Sequence, residues 1–289
     1  MSLAERIRDA LMHAVVELDE DVRGRIEWAR AAEEQQGGTA VGSMASRAVL
    51  DAILKNLEIA KEKRLPMCQD TGLFLVFVDV GKESTLPLSK IEEAIHQGCL
   101  AAVEASYYRR SVVEEPVFAR KNTKNNMPPA IYYTLVDGSD VTIQILLKGF
   151  GSENCCSVRM LNPTGGREAV IKAVGEIVTL AGGKPCPPIF LGVGLGGTMD
   201  RAAYLSKRAL LRDVRVGHSD AQYRQLEEDI LAHVQTLGIG SGGMGGVITA
   251  LSVAIEAEPT HIAGMPLAVS INCWADRKAK VVYKEGEDA

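Results

Sequence analysis

The run LFLVFVDVG, residues 73–81, constrains this chain more than any other stretch. It holds one charge among nine residues and reads as a buried strand. The seven residues before it, PMCQDTG, place a thiol, an amide and a carboxylate at the mouth of that strand. Asp, Thr and Gly are turn formers, and Cys is often a small buried hydrophobe, so a plain turn is one reading. A metal ligand beside two polar groups aimed at a substrate is the other.

The remaining pattern is a mixture of helix and strand. Residues 3–34 read as one helix, because Leu3, Ile7, Leu11, Val15, Leu18 and Val22 form an apolar stripe. Residues 43–63 resume the helical period. A helix is expected from Ser89, with Glu92 completing a capping box. AIYYTLVDGSDVTIQILLKG reads as two strands joined in a hairpin through DGSD. TGGREAVIKAVGEIVTLAGG is a helix ending on glycines. In the second half, PPIFLGVGLGG is a strand entering a glycine turn, and helices follow in TMDRAAYLSKRALLR and DAQYRQLEEDILAHVQTLG. After the glycine loop GSGGMGG come the strands ITALSVAIEAE, MPLAVSINCWA and KAKVVYKEG. The fold class is mixed α+β: helices around a small, largely antiparallel or mixed sheet, with the chemistry at strand–loop junctions.

Charge and composition exclude several classes. Net charge is −5, so no basic field invites nucleic acid. The N-terminus is charged in its first turn and lacks an apolar signal core, and no apolar run approaches the ~20 residues of a membrane span. A cytoplasmic location is expected, where thiols stay reduced. Six cysteines then need a role other than disulfides.

Cys99 sits among apolar residues of a helix and reads as packing. Cys155 and Cys156 are adjacent, so in an extended segment they point opposite ways and chelate poorly. Cys68, Cys186 and Cys273 each mark a junction between a buried element and a loop. Cys68 leads into the apolar strand, and Cys186 is stiffened by Pro185, Pro187 and Pro188. Cys273 extends the alternation Leu267, Val269, Ile271 toward a buried face. No C-x-x-C pair occurs, which excludes a zinc finger or a ferredoxin run. GVGLGG fits a dinucleotide fingerprint through Gly192, Gly194 and Gly197, with Asp213 downstream, but no following strand ends at that acid. An NAD-dependent oxidoreductase is therefore a distant alternative. GSGGMGG reads as a compact loop, since no Lys-Ser or Lys-Thr follows it.

The segments PMCQDTG, YRRSVVEEPVFARKNTKNN, KGFGSENC, GKPCPPIFLGVGLGGT and HIAGMPLAVSINCWADRKA occur in this order. Together they resemble the alpha region of the iron–sulfur hydro-lyases, the class I fumarases and L(+)-tartrate dehydratases, over about residues 40–280. The resemblance implies a [4Fe–4S] cluster on Cys68, Cys186 and Cys273, with one iron left open as a Lewis acid for a departing hydroxide. It implies that Gln69 and Asp70 contact a dicarboxylate, and that Asp70 acts with His261 in proton handling. Read alone, His261 is a histidine in a strand-connecting loop. Arg109 matches a carboxylate clamp, with Arg110 as the register alternative. Backbone N–H groups near Gly149 and Gly151 are expected to bind a carboxylate, with Lys148 adding charge. The glycines of GVGLGG then read as close backbone approach to the cluster.

The expected reaction is hydration of fumarate to malate, a tricarboxylic acid cycle step, with L(+)-tartrate dehydration as the alternative. Residues 1–289 are expected to form one alpha-type domain, with room for two lobes. In the single-chain fumarases that it resembles, a further C-terminal domain supplies the carbon base and more cations. A beta subunit is expected to bring these here, as a heterotetramer of two alpha and two beta chains.

Overall fold

The computed structural model describes residues 1–287. The chain divides into two compact units. Unit 1 comprises Met1–Asp19, Leu57–Gly149 and the residues from Arg277 onward. Unit 2 comprises Glu20–Asn56 and Phe150–Asp276.

Unit 1 is built on a mixed four-stranded sheet of order β2-β1-β3-β8, where β1 is Leu73–Gly81, β2 Ala130–Val136, β3 Val141–Lys148 and β8 Lys278–Tyr283. The strands expected around DGSD form, but they do not pair as a hairpin. β1 lies between them, parallel to β2 and antiparallel to β3. Burial explains the order. β1 is buried along almost all its length, whereas β2 leaves Tyr132, Tyr133 and Leu135 exposed and suits an edge. Phe74, Val76, Val78 and Val80 share one face of β1. They form a core with Leu3, Ile7 and Leu11 of helix α1 (Leu3–Ala14) and Ile91, Ile95 and Cys99 of α4 (Leu88–Ala105).

Two helix expectations need correction. The single helix over 3–34 is two: α1, and α2 over Glu20–Gly37; α3 (Val41–Lys63) follows, and a short α5 spans Phe150–Glu153. Val15, Val16 and Leu18 are all buried, which one helical stripe cannot achieve, and the chain passes from unit 1 to unit 2 after Asp19. The capping box expected at Ser89 and Glu92 is absent: α4 starts one residue earlier, behind Pro87, with no side-chain cap. A capping box is found at α1 instead. Glu5 N donates to Ser2 Oγ at 3.3 Å and Ser2 N donates to Glu5 Oε2 at 2.8 Å.

Unit 2 carries the second mixed sheet, order β4-β7-β5-β6, with β4 Ser157–Leu161, β5 Ile189–Gly197, β6 Ala250–Thr260 and β7 Met265–Asn272. β5 and β6 are parallel, and the other pairs are antiparallel. β4 was not anticipated; its five residues alternate in exposure and carry no strong apolar signal. On one face, Ile189, Leu191, Val193 and Leu195 pack with α6 (Gly166–Ala181) and α8 (Ala221–Gln235). On the other face Gly192 and Gly194 meet α7 (Met199–Ala209). A Cβ on Gly194 would sit 2.0 Å from the Ala202 carbonyl oxygen, and one on Gly192 2.1 Å from that of Ser206. These glycines exist so that a helix can lie on the strand, which replaces the expected approach to a cluster. Neighbouring segments are tied by buried polar groups: Glu33 Oε1 accepts from Ser46 Oγ at 2.8 Å and from Ile248 N at 2.9 Å.

Gly194→Ala must push α7 off β5. The expected cost is about 1–3 kcal/mol of overpacking strain, read as a lowered thermal midpoint. A midpoint equal to that of the unaltered chain would overturn this account of the glycine run.

Candidate active site

In unit 1 the stretch before β1 is a turn whose shape is dictated by contact. Gly72 has φ +89°, and a Cβ there would lie 2.6 Å from the Leu147 carbonyl carbon. Only glycine allows β3 to approach so closely. Asp70 Oδ1 accepts from Gly72 N at 3.0 Å, an Asx turn that fixes the carboxylate at the sheet end. Cys68 and Asp70 are half-buried and Gln69 is exposed.

Thr71, which is buried, ties this turn to Arg109: Arg109 N donates to Thr71 Oγ1 at 3.0 Å. Asn126, also buried, holds the other side of the same residue. Its Nδ2 donates to the Arg109 carbonyl at 2.8 Å, and its Oδ1 accepts from Ser111 N at 2.8 Å. The Arg109 backbone is thus clamped at both N–H and C=O, while its side chain is exposed. The Arg110 carbonyl accepts from Asn122 Nδ2 at 2.9 Å. Lys148 is buried, with Nζ donating to the Gly149 carbonyl at 3.2 Å. Sequence reading missed Thr71 and Asn126. Their signal was weak, since a lone Thr and one Asn of several in a polar loop look like ordinary turn residues.

In unit 2, Cys186 projects from the loop between α6 and β5 and is exposed, with φ +56°. A non-glycine residue holds that conformation only when its surroundings over-determine it. They do here. Gly242 N donates to the Pro187 carbonyl at 2.7 Å, Cys186 N donates to the Gly183 carbonyl at 3.2 Å, and Gly243 packs on Gly183 so tightly that a Cβ would lie 2.8 Å from its Cα. The GSGGMGG loop is therefore a brace for the cysteine loop. Cys273 follows the end of β7 and is half-buried. The alternation expected to single out its face does not do so, because β7 is an interior strand buried on both faces. His261 is exposed in the β6–β7 turn, its Nδ1 accepting from Ala263 N at 3.1 Å. Gly151 lines a cleft of about 460 Å³ together with Cys155, Cys156, Arg159 and Lys184. A larger cleft of about 740 Å³ between α6 and α8 holds none of the expected residues.

The cysteines separate by burial. Cys99 is fully buried, and burial pushes its thiol up to about 12, so it stays protonated and inert. Cys68, Cys186 and Cys273 lie outside the core, and none is in a disulfide. By donor chemistry they fit a thiolate-bound iron group. Cys68 lies in unit 1, the other two in unit 2. Among the described residues, no three His, Cys, Asp or Glu side chains stand in metal-holding geometry.

Residues 4–282 match the family model for fumarate hydratase (Fumerase). The chain belongs to the fumarate hydratase family. Among similar members, a putative L(+)-tartrate dehydratase subunit alpha of Methanocaldococcus jannaschii is 39% identical over 285 residues, 96% of each chain. The L(+)-tartrate dehydratase subunit alpha of Escherichia coli K12 is 29% identical, covering 83% of this chain and 80% of its own. Within this family member, the structure gathers Asp70, Thr71, Arg109 and Gly149 at one end of the unit 1 sheet. No helix among the described residues is long and apolar enough to cross a membrane.

Thiol labelling checks the brace. In the unaltered chain Cys186 should react quickly with a maleimide, and Cys99 only after unfolding. Gly243→Ala, at φ +73° and against Gly183, should lower the melting midpoint and change the Cys186 labelling rate without affecting Cys99. An unchanged Cys186 rate would show that the glycine loop does not hold it. Asn126→Ala removes the partner of three part-buried backbone groups and should cost about 1–3 kcal/mol by denaturant titration; a smaller loss would mean that water replaces the amide.

Proposed function

We propose that this chain is the alpha subunit of an iron–sulfur hydro-lyase that removes water from L(+)-tartrate, with hydration of fumarate as the second reading. The observation that carries it is the near full-length match to chains named as tartrate dehydratase alpha subunits. Sequence reading favoured fumarate; the names of the relatives move the preference to tartrate. In this reaction one carbon loses hydroxide and its neighbour loses a proton, giving water and the enol of oxaloacetate, which ketonises.

A [4Fe–4S] cluster on Cys68, Cys186 and Cys273 would supply the Lewis acid for the departing hydroxide. The remaining work falls to side chains. Arg109, on its doubly anchored backbone, offers a planar fork to one substrate carboxylate. Gln69 and Asp70 face the substrate from the turn before β1, and Asp70 is oriented by the Gly72 N–H. Gly151 offers a backbone N–H to a carboxylate. His261 accepts at Nδ1 from Ala263 N, which leaves Nε2 to hydrogen-bond the departing hydroxyl. The base for the carbon-bound proton is assigned to a beta subunit, in an assembly of two alpha and two beta chains. The alpha designation of the relatives supports a second kind of subunit.

The test is anaerobic assembly with iron, sulfide and a beta chain, followed by assay on both substrates. A site whose polar groups are matched to the tartrate hydroxyls should favour tartrate over fumarate by at least about 10-fold in kcat/KM. The reverse ranking would restore the fumarate reading, and no turnover of either substrate at full iron load would end both. Cys186→Ser should lose most of its bound iron while Cys99→Ser keeps it. Equal iron in both variants would remove Cys186 from the ligand set.

A further inference from the structure

The sheet end that carries Asp70 also carries a cation that the reading above does not use. Arg277 precedes β8, and its carbonyl accepts from Leu147 N at 3.0 Å, one residue before Lys148. The whole residue is 2% exposed. Neither Nε nor Nη1 meets a hydrogen-bond partner. Nη2 faces Gly149: a Cβ on that glycine would lie 3.8 Å from Nη2 and 3.5 Å from Asp70 Oδ2, so guanidinium and carboxylate flank one position. Tyr108 lies nearby but cannot neutralise the charge. Its hydroxyl donates to the Leu11 carbonyl at 2.9 Å, and burial pushes that hydroxyl well above its usual range, although Arg277 opposes the shift. A buried guanidinium with open donors is costly and is kept where something else meets it.

We propose that Arg277 is a second carboxylate clamp, taking one carboxylate of a small dicarboxylate while Arg109 holds the other. The inference rests on the hydro-lyase reading for its substrate class. Beyond Arg109 and Lys148, sequence reading looked to a partner chain for cations; Arg277 places another within this chain, beside Asp70. Guanidinium suits the role because it stays charged when buried and its planar donors match a carboxylate.

The experiment is calorimetric titration of the assembled alpha–beta enzyme with succinate and with butyrate, which lacks one carboxylate. Arg277→Met and Arg277→Lys are compared with the unaltered enzyme. Removing either the guanidinium or the carboxylate it meets should weaken binding by about 10- to 150-fold. The two losses should not add: butyrate affinity should be the same with and without Arg277. Arg277→Met should melt no lower than the unaltered enzyme, since an open buried charge has been replaced by an apolar chain of similar volume. Equal succinate affinity in all three proteins overturns the proposal, as does a further loss of butyrate affinity in the variants. If Arg277→Met does not fold, Arg277→Lys carries the test, because it keeps the charge and loses the fork. Tartrate turnover on the same preparations separates the two ideas. Unchanged kcat/KM in Arg277→Lys removes the clamp and leaves the hydro-lyase reading standing. Arg277-dependent succinate binding without turnover keeps the clamp and removes the hydro-lyase reading.

Discussion

The pressing of Gly72 against the carbonyl of Leu147 governs the geometry of unit 1. With any side chain at 72, β1 and β3 would separate where Asp70, Gly149 and Arg277 converge. The contact also gives Asp70 its Asx turn, since the N–H that orients the carboxylate belongs to the same glycine. From there order spreads outward: Thr71 anchors Arg109 from one side, and Asn126 anchors it from the other. An exposed arginine thereby projects from a backbone with little freedom, which suits a residue meant to meet a ligand in one orientation.

Unit 2 uses glycine for a similar end by different means. Gly192 and Gly194 let α7 rest on β5, while the glycines at 242 and 243 brace the loop that holds Cys186 in a left-handed conformation. The strain of that conformation is local, and its support comes from the backbone of a distant segment. The brace itself stands beside a buried network in which Ser241 N donates to Ser46 Oγ, and that hydroxyl donates to Glu33.

Burial sets Cys99 apart from the other five cysteines. The core around Cys99 removes water and with it the thiolate, so this sulfur packs like a methyl-sized hydrophobe. Cys68 and Cys273 are half-buried and Cys186 is exposed, each where an apolar element gives way to a loop. Cys156 Sγ accepts from Ile271 N at 3.3 Å and donates to the Glu153 carboxylate at 3.5 Å.

The sequence by itself determined the element types and the chemistry available. A nine-residue apolar run has to be an interior strand, and helices with one apolar stripe have to pack by it. Three cysteines at strand ends, in recognisable motifs, already pointed to the family. It could not determine pairing. The DGSD turn joins β2 and β3 locally, yet the largely buried β1 takes the place between them, because burying it on both sides outweighs a short connection. Nor could it show that Cys273 follows a strand buried on both faces, or that the fingerprint-like glycines serve helix packing. Arg277 is the clearest case: in sequence it is one charge in a polar run after NCWAD. Only the tertiary structure buries it beside Asp70, since burial depends on what packs around a residue and not on its neighbours in the chain.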